Sequence, residues 1–163
     1  MTGCATPCPR EQISQSTHSP GPLQDNEVVC RAAYDMHFKP SGDVKRSLVK
    51  NADLMAGTLS VWRLKSVREA DTLIAAINST QTANRLRRLY VVPTSLLRKV
   101  ARKNGARGAS VLDDTDCGGG IDHPDHAVIA PCQSVNANET DEDYQLIKNE
   151  IITLFVDGAY FVG

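Results

Sequence analysis

The chain has 163 residues, of which 41% are hydrophobic and 23% are charged, and its formal net charge at pH 7 is −1. This length is enough to bury the core of one domain, and the composition excludes collagen-like repeats and disorder along the whole chain. The apolar runs are too short to cross a membrane, and the first 19 residues lack the apolar core of a secretory signal. We therefore predict a cytoplasmic protein with no membrane partner.

The N-terminal residues 1–23 contain four prolines with Ser, Thr and Gln between them. Their apolar content is too low to offset the entropy of ordering a chain. We predict a disordered leader over residues 1–23, followed by a single globular domain over residues 24–163.

The middle of the chain alternates strand and helix patterns. β-Branched and aromatic residues in 58–64 favour a strand, and Ser66 followed by Glu69 has the spacing of a capping box at the start of a helix. Residues 89–92 predict another strand, and residues 94–104 predict an amphipathic helix with a basic face.

Further strands are predicted at residues 109–112 and 127–130, and a last helix at residues 141–155. Acidic residues in the first turn of that helix suit its dipole. Because strands and helices alternate, we predict a single small layered domain of the α/β or α+β class.

The five cysteines are scattered along the chain, which is untypical of a secreted disulfide scaffold, so reduced thiols are expected. Cys4 and Cys8 form a C-x3-C pair. No His or Cys follows closely to complete the four ligands of a structural zinc site.

Charge is sharply divided in the second half of the chain. Residues 85–107 include eight basic residues and no acidic one, whereas residues 113–143 include nine acidic residues and no basic one. The two blocks can pair with each other or form two solvated faces. Alternatively, the basic face of the helix at 94–104 can follow a phosphate backbone, through Arg98, Lys99, Arg102 and Lys103.

The densest group of potential metal ligands lies between residues 113 and 132. Asp122, His123 and His126 place two imidazoles three residues apart beside a carboxylate, and these are donors that transition metals prefer. The spacing matches no zinc signature, so an ordinary polar loop, or a loop with one functional His, remains an alternative.

A second group combines basic, imidazole and hydroxyl side chains: Arg31, His37, Ser60 and Arg63. It resembles the way in which ADP-ribosyltransferase-like folds hold a dinucleotide, with Arg at the phosphates. His37 and Arg63, together with His126, are the candidate catalytic residues. The alternative is that the arginines are surface charges and His37 is a loop residue.

Two segments resemble those of a family of small uncharacterised bacterial proteins. Residues 60–64 carry S-V-x-R-L and residues 124–129 carry P-x-H-A-x-I, within a resemblance that covers about residues 27–129. The resemblance implies a bacterial cytosolic origin and favours His126 over His123. It implies no activity, and the cofactor is unknown.

The sequence does not supply a complete set of nucleophile, base and orienting group. We therefore predict a non-enzymatic binding or accessory module that engages a protein partner through its charged faces. Two alternatives stay open. One is a small enzyme or metal-binding protein with a site around His126. The other is phosphate or nucleic-acid binding through the basic helix, which is less favoured because the acidic block that follows would repel phosphates and because only Tyr90 is near to stack single-stranded bases.

Overall fold

The computed structural model describes residues 9–14, 19–80, 83–114, 125–132, 135, 138 and 140–163. The strands within them are β1 (Val28–Tyr34), β2 (Leu59–Leu64), β3 (Leu86–Pro93), β4 (Ala109–Asp113), β5 (His126–Pro131) and β6 (Ala159–Val162). The helices are α1 (Asn51–Met55), α2 (Val67–Thr80), α3 (Thr94–Leu97) and α4 (Glu142–Val156), with short 3-10 turns at Pro9–Gln12, Asp35–His37 and Arg46–Leu48.

The six strands form one sheet in the order β4-β5-β2-β1-β3-β6, and every neighbouring pair is antiparallel. A helical layer on an antiparallel sheet defines an α+β domain, which is one of the two classes predicted. None of the helices in the described residues has the length and apolar character that crossing a membrane requires.

Helices cover both faces of the sheet. On one face, residues of α1, α3 and α4 pack with inward residues such as Val61 and Ile129 in the larger core. On the other face, Ala70 and Ile74 of α2 pack against Cys30 and neighbouring residues of β1 and β3. A third, small cluster is formed by Leu112, Val128 and Ala130 of β4 and β5. The strands therefore divide their apolar side chains between the two faces of the sheet, as the period of two requires.

Side chains cap the starts of the two long helices, and the cap at Ser66 is the predicted one. The Glu69 N–H donates to Ser66 Oγ (3.2 Å), and the Glu69 carboxylate accepts from the Lys65 N–H (2.8 Å). Asp141 caps α4 by accepting from the Tyr144 N–H at 3.1 Å. The predictions of helices beginning near Ser66 and Asp141 are confirmed.

The prediction of a basic helix over residues 94–104 is wrong. α3 ends at Leu97, and the chain then turns back so that Ala101 and Arg107 form an isolated bridge around Gly105, whose φ is 84°. The Ala101 N–H donates to Glu150 Oε2 (3.1 Å) and the Lys103 N–H to Asp143 Oδ1 (2.6 Å). Acidic side chains of α4 thus occupy the backbone donors that a longer helix would have used.

Part of the predicted leader packs on the domain. Glu11 and Leu23 are buried, and the Arg10 guanidinium donates to the Pro131 carbonyl at 2.8 Å. Residues 9–14 and 19–23 therefore pack on the domain. The rest of the predicted leader, residues 1–8 and 15–18, lies outside the described residues.

The two cysteines in the described residues differ. Cys30 is a free thiol whose pKa burial raises to about 12, so it stays protonated and packs as an apolar side chain. Cys132 is disulfide-bonded. The expectation of reduced thiols is therefore wrong for Cys132.

Candidate functional site

The three candidate catalytic residues do not converge on one site. Trp62 pairs with His126 across β2 and β5, and their rings lie edge to face with centroids 5.1 Å apart. Arg63 is the next residue on β2 and therefore points to the opposite face of the sheet. His37 follows β1 at the end of the strand opposite to the Val29–Arg63 pair, about 20 Å away along the strand.

His126 is buried on the α2 side of the sheet. Its Nδ1 lies 2.6 Å from the Asp114 carbonyl oxygen. A carbonyl oxygen can only accept, so Nδ1 carries a proton and donates it. His123 and Asp122, the other predicted metal ligands, lie outside the described residues. Among the residues that are described, no group of three His, Cys, Asp or Glu side chains could hold a metal ion.

Arg63 is the centre of a buried ion cluster. Its guanidinium lies 3.1 Å from Glu27 Oε1 and 3.1 Å from the buried carboxylate of Asp113, and it also donates to the Gly21 carbonyl. Ser19 donates its hydroxyl to the other oxygen of Asp113. Because carboxylates and a carbonyl already surround this guanidinium, the contacts indicate a structural role, in which Arg63 holds the segment before β1 against β2 and β4.

His37 closes the turn after β1. Its Nδ1 accepts from the Tyr34 N–H at 3.0 Å, and the side chain is buried. Burial, followed by the charges of Arg31, Lys50 and Lys45, lowers the pKa of His37 to about 4. The ring is therefore neutral at physiological pH and serves as a hydrogen-bond acceptor.

The remaining members of the predicted dinucleotide group also make structural contacts. Arg31 donates to the Leu48 carbonyl from two nitrogens, at 3.1 Å each, and to the Ser60 carbonyl at 2.9 Å. The pairing of β1 with β2 ends at the Cys30–Trp62 pair, and the Arg31 side chain then supplies a partner for the β2 backbone. Arg31 and Ser60 are thus in contact, but Arg31 binds the backbone carbonyl of Ser60 and not its hydroxyl group.

A cleft of about 1010 Å³ lies between the N-terminal segment, the loop before β1, and the turn after α3. It includes two of the four predicted binding residues, Arg98 and Lys99. Its other charged residues are Glu11, Asp25 and Arg107.

One wall of the cleft is an occupied carboxylate site. Glu11 Oε1 accepts from the Val111 N–H at 2.7 Å, lies 3.2 Å from Arg98 Nε, and accepts from the Arg107 guanidinium. Arg98 also pairs with Asp25 at 2.7 Å. No side-chain hydrogen bond or ion pair joins the exposed Lys99 to any other residue that the structure describes.

The other two predicted binding residues pair with α4. Arg102 lies 3.1 Å from Asp143 Oδ2, and Lys103 lies 2.8 Å from Glu142 Oε2. The hydrogen bond to Glu142 raises the pKa of Lys103, and the Lys103 backbone N–H, with Arg102, lowers the pKa of Asp143. The basic and acidic blocks therefore pair in part, which was the first of the predicted alternatives.

No family model, curated protein or solved structure matches the chain. The resemblance to a bacterial family therefore stays a prediction.

The sequence reasoning missed Glu11 and Arg107 as residues of the cleft. Glu11 is the only acidic residue before Asp25, and a lone carboxylate in a polar segment was the available signal. Its partners lie far along the chain, so only the fold brings them together.

Proposed function

We propose that the protein is a non-enzymatic binding module that takes an acidic segment of a protein partner into the cleft beside Arg98 and Lys99. The observation that carries the proposal is the exposed Lys99 ammonium group on the cleft, beside a wall where Arg98, Arg107 and the Val111 N–H already bind the carboxylate of Glu11. Charged hydrogen bonds of this kind are strong and favour carboxylates.

Lys99 supplies the contact that a partner would use. Its side chain is exposed on the cleft and lacks a side-chain partner within the described part of the chain. An exposed ammonium group attracts an acidic segment over a Debye length of about 8–10 Å at physiological salt. Lys99 therefore adds affinity and a salt-dependent association rate.

The acidic groups nearby favour a peptide over a nucleic acid. Glu11 and Asp25 line the same cleft, and Glu142 and Asp143 neutralise the neighbouring basic residues. A continuous phosphate backbone would meet these carboxylates, whereas a short acidic segment can enter at Lys99 alone.

Bacterial origin and cytoplasmic location belong to the same proposal and rest on the sequence alone. The disulfide at Cys132 weighs against the cytoplasm, because thiols there are kept reduced in most organisms.

The proposal is tested by titrating the full chain with a fluorescent oligoglutamate peptide and comparing Lys99→Gln with the matched control Lys103→Gln. Both variants lose one exposed ammonium group, but Lys103 lies outside the cleft lining and pairs with Glu142. We expect Lys99→Gln to weaken binding several-fold and Lys103→Gln to leave it nearly unchanged, with affinity falling as salt rises.

Three results would contradict the proposal: no binding of the peptide at low salt, an equal loss in both variants, or preferential binding of single-stranded or duplex DNA. The last result would favour the phosphate-binding alternative.

A further inference from the structure

β6 is the last strand in the sheet order, and within the described residues it pairs with β3 alone. In an antiparallel pair, the backbone groups of alternate residues point to the same neighbour. The Gly163 N–H donates to the Arg87 carbonyl at 2.9 Å, so the odd-numbered residues of this strand point their backbone groups toward β3. The N–H and C=O groups of Tyr160 and Val162 therefore point away from the sheet.

The same two residues carry exposed apolar side chains. Tyr160 is 46% exposed and Val162 is 74% exposed, and both lie on one face because they are two positions apart. The Arg88 guanidinium lies 4.6 Å from the centre of the Tyr160 ring, and the Tyr90 ring meets it edge to face at 5.7 Å. The exposed ring is thus held in place before any partner arrives.

β6 lacks two kinds of residue that protect many edge strands. Its sequence, Ala-Tyr-Phe-Val, has no charged residue and no proline. Natural proteins use such residues at open edges to prevent another strand from adding there. An apolar edge with ordered side chains is typical of a site of strand addition.

We infer that β6 pairs with β6 of a second copy of this chain, antiparallel and about a twofold axis at Phe161, so that the two sheets become one. This register places Tyr160 opposite Val162 of the partner subunit, and the twofold axis repeats the pair. Each pair joins two residues whose backbone groups point outward, so each exchanges two hydrogen bonds. Each also joins an aromatic and a β-branched side chain, a favourable cross-strand combination.

The choice of a second copy rests on this self-complementarity. Of the two neighbouring registers that keep the faces aligned, one sets Tyr160 opposite itself and Val162 opposite Gly158, and the other sets Val162 opposite itself, so neither forms the tyrosine–valine pair. Repulsion between the Arg88 side chains of the two copies is also small. Arg88 lies on β3, one strand inward from the interface, so the two arginines are separated by three strand spacings, about 14 Å. That distance exceeds a Debye length of about 8–10 Å at physiological salt. The contact is short, so we expect micromolar rather than nanomolar association.

The test is sedimentation equilibrium of the full chain over a range from low to high micromolar concentration. The edge variant is Val162→Lys, and the matched control is Val67→Lys, which adds the same charge at a valine 64% exposed on α2. We expect the wild type and the control to dimerise as concentration rises and the edge variant to stay monomeric, with equal thermal unfolding of all three confirming that they fold.

A wild type that stays monomeric at the highest concentration overturns the inference, even if it binds extended peptides of other proteins. So does a Val162→Lys variant that still dimerises, or a control that loses the dimer equally. None of these results depends on the cleft or on Lys99.

Discussion

At one end of the sheet β4 is buried along its whole length, whereas at the other end β6 exposes Tyr160 and Val162. The β4 edge is covered by the N-terminal segment, where Glu11 accepts the Val111 N–H that a neighbouring strand would otherwise take. The β6 edge has no such cover among the described residues. The comparison shows that this chain protects one edge with its own backbone and charges and leaves the other available for association.

The difference in how the two ends are held leads to a first prediction, for the Arg63 cluster beside β4. Replacing Arg63 with Leu leaves Asp113, which is fully buried, without its cation, and we expect a loss of about 4 kcal/mol in the free energy of unfolding. Urea unfolding measures it. Lys65→Leu is the control, because Lys65 is 63% exposed where it pairs with Asp125, and surface pairs contribute about 1 kcal/mol or less. Equal losses in the two variants would mean that the cluster does not hold this end.

A second prediction concerns the cover of the β4 edge itself. Glu11→Gln keeps a hydrogen-bond acceptor for the Val111 N–H but removes the charge that compensates two largely buried guanidinium groups, those of Arg98 and Arg107. We expect a loss of about 3 kcal/mol, near the lower end for breaking a buried pair. Glu142→Gln on the exposed surface should change stability by less than about 0.5 kcal/mol. If Glu11→Gln is as mild as this control, the segment does not cap β4.

A third and smaller effect is expected for the pH dependence of stability through His37. This residue lies on the β6 side of the molecule, because it precedes Phe38, whose ring lies 5.2 Å from the Arg88 guanidinium. The folded pKa of about 4 lies below the unfolded value of about 6.5, so the unfolded state binds the proton more tightly. The contribution of neutral His37 to the free energy of unfolding is therefore fully present above pH 6.5. It is lost as the pH drops toward 4, with a loss of about 2 kcal/mol at pH 5.

The measurement is urea unfolding of the wild type and of His37→Asn from pH 8 to pH 5. The Asn side-chain oxygen can still accept the Tyr34 N–H but does not titrate in this range, so the variant should lose this part of the pH dependence. Parallel pH profiles for the two proteins would show that His37 is not the titrating group.

The parts of the fold that were predictable are those whose signals are local. β2 has β-branched and aromatic residues, α2 has a capping box at its start, and α4 has acidic residues in its first turn, so each signal lies within a few residues. The basic helix was predicted because residues 94–104 have a helical period. The prediction failed because acidic side chains of α4 accept hydrogen bonds from the backbone of this segment. β6 was not predicted at all, since four residues after a helix carry too little pattern.

The candidate site was predictable only in part, for the same reason. Charge patterning pointed to Arg98 and Lys99, which line the cleft, but Arg102 and Lys103 turn toward α4. Glu11 could not be assigned because its partners follow it by about 90–100 residues, and no local rule connects positions so distant.

The position of Glu11 on the β4 edge also limits the size of any assembly that this chain forms through its sheet edges. Because the N-terminal segment covers β4, only the β6 edge of the sheet can pair with another strand. Assembly through β6 therefore stops at a dimer. Uncovering β4 would give each molecule two such edges, and open-ended stacking of sheets into a fibre would become possible. If β6 pairs as inferred, the Glu11 carboxylate limits the assembly to two copies, and an acidic ligand that displaced it from β4 would affect polymerisation as well as binding.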